Sequence, residues 1–251
     1  QFDQALDLGG CFGTRDGTVA TQQGRDDYAR MIEAAGAAVK AADPEARVVM
    51  GGVVGGAYTD SAGPGCLIDW DPARPKSAYC IFDRYFVKGV MGALIARGSQ
   101  SRIDWVSIHL FGDNLIGRIA RLRQDMLEAG LPQSQLKPII LGEGSYTSRH
   151  GTSTSNPEDP FNREQRDYVP KVLSWTAYAG VEAFFWFWLQ DVGGSGLGTN
   201  QAYGLLDLRG NPKPSYFAYR YFAGLLDGVD RAVKRLSFAE PKLDSTSALM
   251  P

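Results

Sequence analysis

The chain has 251 residues, 44% of them hydrophobic and 11% aromatic, which is enough apolar mass for one sizeable core and lies outside disordered composition. A formal net charge of −2, with neither sign gathered into long blocks, argues against a large phosphate-binding face and so against nucleic acid as the main partner. No window approaches the roughly 18 uninterrupted apolar residues of a membrane span, so no membrane association is expected.

Residues 1–24 hold no strand-like run. The Ala-rich segment GRDDYARMIEAAGAAVKAAD (24–43) predicts a strong helix. Four units of one type follow, each an apolar run of strand length, a loop and a helical pattern. RVVMGGVV (47–54) leads through a long loop, 55–79, to a helix over 81–98. DWVSIHLFG (104–112) leads to a helix over 116–130, where Ile116, Ile119, Leu122, Met126 and Leu127 form a stripe that ends at Gly130. KPIILGEG (137–144) leads to a helix over 162–180 with Pro170 inside it. VEAFFWFWLQD (181–191) leads across another long loop to PSYFAYRYFAGLLDG (214–228). The tail 229–251 offers one strand candidate, AVKRLSFA, and reads as the start of an accessory β-domain.

Continuous apolar strands alternating with helices predict a parallel sheet. The long polar loops follow strands (55–79, 145–161, 190–212), whereas the returns from helix to strand are short. That asymmetry suits an α/β fold of the (β/α)8 TIM-barrel type, with its site on the C-terminal side of the strands. Four units amount to about half of such a barrel, carried by residues 1–228. The dinucleotide-binding glycine signature of a doubly wound sheet is missing.

Three cysteines and two histidines are present. Cys66 and Cys80 flank one loop and read equally well as a disulfide or as two thiols, with Cys11 left over. No Cys/His/Asp cluster has ligand spacing, so no metal and no cofactor is expected. The chain does not begin with Met and shows no signal peptide, so localisation is open, with a secreted or periplasmic location favoured over a cytoplasmic one.

Candidate chemistry sits at the strand ends. By the period of two, Ile139, Leu141 and Glu143 share one strand face and Ile140 and Gly142 the other, which brings Glu143 out at the rim. Its flanking glycines are expected to leave space for a ligand and to permit unusual backbone angles. His109 holds the matching terminal position on its strand, in phase with Trp105 and Ser107. Phe184, Trp186 and Trp188 share a face of the last strand, with Gln190 following, and the first strand ends in glycines (Gly51, Gly52, Gly55, Gly56). A carboxylate, an imidazole and indoles at adjoining strand ends suit sugar chemistry: the carboxylate attacks an anomeric carbon, and an indole stacks on a pyranose face. Each group also has a structural reading. Glu143 could be a loop carboxylate paired with a base, His109 a hydrogen-bonded core residue, and Trp186 and Trp188 core. Tyr146 could contact substrate or only pack its loop. Asn114 and Gln190 are further candidate contacts, and VGGSGLGTNQ (192–201) reads as a loop over the site, not a phosphate loop, because it lacks the Gly-Lys-Ser/Thr ending.

The succession DYARMIEAAGAAVKAADPEARVVMGG, IDWVSIHLFG, PIILGEGSYTS, VEAFFWFW and YGLLDLRGNPKPSYFAYRYFAGL, covering roughly residues 25–236, resembles the second half of a clan A retaining glycoside hydrolase. The likeness is greatest to the β-xylosidase and α-L-iduronidase family or its relatives in the clan. It implies that Glu143 is the nucleophile at the end of the seventh strand, that His109 is the histidine ending the sixth, and that Trp186 is the tryptophan flooring the subsite where the bond breaks. Two departures stand out. Phe111 occupies a position where the family often has an aromatic hydroxyl, and no Asn-Glu pair supplies the acid/base. Asp3 and Asp7 fall near that place in the sequence, but neither follows a strand. The expectation is therefore a retaining glycosidase acting on a carbohydrate, its second carboxyl coming from a missing N-terminal half or a second copy. The alternative is a non-catalytic carbohydrate-binding half-barrel or pseudoenzyme.

Overall fold

The computed structural model describes residues 22–54, 66–68, 80–83, 85–112, 115–146, 154–193 and 202–226. The Ala-rich segment forms α1 (Gln22–Ala42), which buries Tyr28, Ala29, Ile32 and Gly36 along one stripe at helical spacing. The first strand, β1 (Val49–Val54), follows as predicted.

The next segment differs from the sequence reading. β2 (Cys66–Ile68) and β3 (Cys80–Asp83) pair antiparallel, where a loop and then a helix from residue 81 were predicted. The run Cys80-Ile81-Phe82 suits a pleated pairing. The helical stripe of Phe86, Val87, Val90, Met91 and Leu94 starts only at Phe86, and α2 (Phe86–Ala96) starts with it. The side chains of Cys66 and Cys80 lie outside the described residues, and with them the question of a bond between the two.

β4 (Trp105–Phe111), α3 (Leu115–Glu128), β5 (Ile139–Ser145), α4 (Pro160–Tyr178), β6 (Ala183–Trp186) and α5 (Pro214–Leu226) complete the order. Asp159 caps α4, its carboxylate accepting from the Phe161 and Asn162 amides at 2.9 and 3.4 Å, with Pro160 in the first turn, where its missing N–H costs nothing. The helix continues through Pro170. α2, α3 and α4 stop in the same way, at Gly98, Gly130 and Gly180, each at a positive φ that a side chain would disfavour. β6 is shorter than the predicted 181–191 run. The segments 1–21 and 227–251 lie outside the described residues.

The other four strands form one parallel sheet in the order β1-β4-β5-β6. Each strand joins the same edge as the one before, and right-handed crossovers of that kind place all the connecting helices on one face. The helices accordingly pack in succession, α1 on α2, α2 on α3, α3 on α4 and α4 on α5. Between the layers lies the core: Met50, Val53, Val106, Ile108, Leu110, Ile139 and Leu141 from the strands meet Phe86, Val90, Leu94, Ile119, Leu122, Met126, Val169 and Val172 from the helices, all at most 1% exposed. Each such side chain contributes roughly 1.5–3 kcal/mol on burial. Among the described residues, no helix is long and apolar enough to cross a membrane. The packing leaves the other sheet face to carry the polar strand residues.

Candidate active site

β4 shows which face that is. Val106, Ile108 and Leu110 enter the core, so Ser107, His109 and Phe111 point the other way. Along β5, Ile139 pairs with Val106, Ile140 with Ser107 and Leu141 with Ile108. The register then skips Gly142, and His109 pairs with Glu143. Plain alternation puts Glu143 with Ile139 and Leu141, which are core residues. The extra residue at Gly142 reverses the phase and moves Glu143 to the face of Ile140 and His109. β1 has a matching irregularity: Met50 pairs with Val106 and Val53 with Ile108, so Gly51 and Gly52 together face Ser107.

The glycines at these bulges make room for protein. A Cβ on Gly52 would lie 1.8 Å from His109 Nε2, and one on Gly142 would lie 2.3 Å from Ser107 Oγ and 3.4 Å from His109 Nε2. A Cβ on Gly144 would meet Leu141 and Phe184 on the core side. None of these glycines has a positive φ. The expected ligand space and unusual angles are thus replaced by a close fit around the imidazole.

His109 Nδ1 stands 3.3 Å from Glu143 Oε2, with the two side chains 14% and 31% exposed. The angle is not that of a hydrogen bond, and Nδ1 is buried with no hydrogen-bond partner. Burial lowers the His109 pKa to about 4, so the ring is neutral at neutral pH. Burial also raises the Glu143 carboxyl above the ordinary glutamate range. The pair is therefore a neutral imidazole beside a partly desolvated carboxylate, with hydrogen-bonding capacity open between them. Glu143 is the one carboxylate carried by the four strands of this sheet.

One step further along the strands, an aromatic wall begins. Phe111, paired with Ser145 on the Glu143 face, meets Phe187 and Tyr203 at ring-centroid distances of 5.5 and 5.6 Å. Phe187 stacks on Trp188 at 4.4 Å, and Trp188 meets Tyr203 at 6.3 Å. Trp188 is thus joined to the wall. Trp186 is on the other side: it pairs with Gly144, packs against Tyr168, Phe184 and Tyr219, and donates Nε1 to the Tyr203 carbonyl at 2.9 Å. The shared face predicted for Phe184, Trp186 and Trp188 breaks because β6 ends at Trp186.

Tyr146 packs on Tyr168 at 5.2 Å and reaches Glu164 through its hydroxyl, a loop-packing position. Gln190 donates to the Leu208 carbonyl at 3.0 Å and so ties down the segment after β6. Asn114 lies outside the described residues, as do 194–201 of the predicted covering loop. Phe187 and Tyr203 were not singled out in the sequence. Phe187 was read out of phase, and Tyr203 sits in an irregular segment with no period to point to it. Among the described residues, no group of three or more His, Cys, Asp or Glu could hold a metal ion.

No family model matches this chain, and no curated protein does. Solved structures do. A GH39 β-xylosidase from Caulobacter crescentus aligns over 82% of this chain and 38% of its own, with 20% identity and a TM-score of 0.50. Xylanase 10B from Thermotoga maritima aligns over 86% of this chain and 58% of its own, with 16% identity and a TM-score of 0.52. This chain therefore spans less than two thirds of either, and what it shares with them is an α/β fold built on a parallel sheet.

Proposed function

We propose that this chain belongs to a retaining glycoside hydrolase and that its four βα units form about half of an eightfold barrel. The observation that carries the reading is the placement of Glu143: a carboxylate with a raised pKa, at the C-terminal end of a central strand, beside a neutral histidine and below an aromatic wall. The fold shared with two glycosidases supports it.

In this mechanism a Glu143 oxygen attacks the anomeric carbon, the bond to the leaving oxygen breaks, and a covalent glycosyl-enzyme forms. Water then attacks the same carbon and releases Glu143. Protonation of the leaving group requires a second carboxyl about 5–5.5 Å away. That group comes from outside these four strands, from further barrel units or a second copy. The neutral His109 holds a proton between its ring and the carboxylate or a sugar hydroxyl, and Trp188 offers the sugar an apolar face. Because Glu143 must be ionised to attack, the acidic limb of kcat/KM should lie above the ordinary glutamate range.

Glu143→Gln tests the assignment. Turnover of a 2,4-dinitrophenyl glycoside, whose leaving group needs little protonation, should fall by roughly 10³-fold or more. Retained turnover would remove Glu143 from the role. One observation favours a second reading: these strands carry no carboxylate besides Glu143. A carbohydrate-binding protein without hydrolysis would bind sugar yet leave the dinitrophenyl glycoside intact.

A further inference from the structure

A polar cluster that takes no part in the mechanism above lies behind the aromatic wall. Lys213, next to the start of α5, is completely buried. Its Nζ donates to Asp191 Oδ1 and Oδ2 at 3.2 and 3.3 Å and to the Ala202 carbonyl at 3.4 Å. Asp191 Oδ1 also accepts from the Gly204 amide at 2.7 Å, and a Cβ on Gly204 would lie 2.4 Å from the Asp191 nitrogen. Gln165 of α4, equally buried, donates Nε2 to the Tyr146 carbonyl at 2.8 Å and to the Ala202 and Tyr203 carbonyls at 3.3 Å. Its Oε1 accepts from Ser215 Oγ at 2.8 Å.

These bonds converge on three consecutive backbone units, 202 to 204. A buried ion pair is a weak source of net stability, since burying its charges costs about as much as their attraction returns. What it provides here is direction. The Tyr203 backbone is held from α4 by Gln165 and from β6 by Trp186, while its two neighbours are held by Lys213 and Asp191. Its ring consequently stands against Phe111, Phe187 and Trp188.

We propose that Gln165, Asp191 and Lys213 are positioning residues that set Tyr203 as a specificity-determining wall of the sugar pocket. They act on substrate affinity through that ring without touching the reacting carbon. The proposal rests on the glycoside hydrolase reading.

Lys213→Met alone would strand the buried Asp191 charge and risk unfolding. The tests are therefore Gln165→Met, which removes the donor at similar size, and the neutral pair Asp191→Asn/Lys213→Gln, with Tyr203→Ala as reference. On the full chain, 2,4-dinitrophenyl 2-deoxy-2-fluoro-β-D-xyloside counts competent sites by trapping the glycosyl-enzyme. KM and kcat per trapped site are then measured with 2,4-dinitrophenyl β-D-xyloside. Both variants should raise KM roughly three- to tenfold, as Tyr203→Ala does, with kcat per site within about twofold, the pattern of lost uniform binding. Near-UV circular dichroism should change while the far-UV spectrum holds. A lower trapped fraction or Tm with unchanged KM would mean a merely structural role and overturn the proposal. If the unsubstituted chain neither traps nor turns over the probe, the glycosidase reading fails on it. The positioning is then decided by the near-UV signal alone: a change in Gln165→Met supports it and an unchanged spectrum overturns it.

Discussion

Gly52→Ala is a one-methyl change on a strand that bears no candidate catalytic group, and it should disable the site. The new Cβ would lie 1.8 Å from His109 Nε2, 2.4 Å from Cε1 and 2.5 Å from Cδ2, where ordinary contact begins near 3.4 Å. The ring would have to retreat by about 1.6 Å, or the β1 bulge would have to flatten, and overpacking of this kind costs roughly 1–3 kcal/mol. Either response changes the 3.3 Å approach of His109 Nδ1 to Glu143. A misplacement of about 1 Å at a reacting centre is worth on the order of 100-fold in rate. The assay pairs urea denaturation with turnover of a 2,4-dinitrophenyl glycoside. Gly92→Ala is the control, because the nearest atom to its Cβ would be 4.0 Å away and α2 should gain up to about 1 kcal/mol in helix propensity. A Gly52→Ala protein as active and stable as the parent would refute the close fit of His109 over β1.

His109 should also leave a mark on stability against pH. Its pKa is depressed in the fold, from an ordinary 6.5 to about 4, so its contribution is fully present above pH 6.5 and lost as pH falls toward 4. The loss amounts to about 3 kcal/mol at most, and His109→Asn should flatten that part of the curve in denaturation series; an unaltered slope would contradict the burial argument. Trp188→Ala should raise KM roughly three- to tenfold. Trp186→Phe should lower stability by about 1 kcal/mol through the lost bond to the Tyr203 carbonyl, measured as a shift in denaturation midpoint, with any rise in KM no larger than that of Tyr203→Ala. A raised KM with an unshifted midpoint would return Trp186 to the sugar-facing role.

Much of the architecture was legible in the sequence. The 3.6-residue stripe of Ile119, Leu122 and Met126, its stop at Gly130, and the apolar runs of β1, β4 and β5 are local signals, and each produced its element. Glu143 and His109 were also legible as neighbours, because both stand near the C-terminal end of a strand-like run. Which face they share was decided only in three dimensions. Period-two counting assumes an uninterrupted ladder, and the bulges opposite Ser107 and at Gly142 are properties of strand pairs, invisible along one strand. The same limit applies to Trp186 and Trp188, which separate because β6 stops between them. Tyr203 and Lys213 lie beyond it altogether, since the partners of their side chains stand 11 or more residues away along the chain. Local periodicity is a backbone property that sequence carries directly. Register, bulge phase and buried polar contacts depend on which segments meet, and only the folded chain decides that.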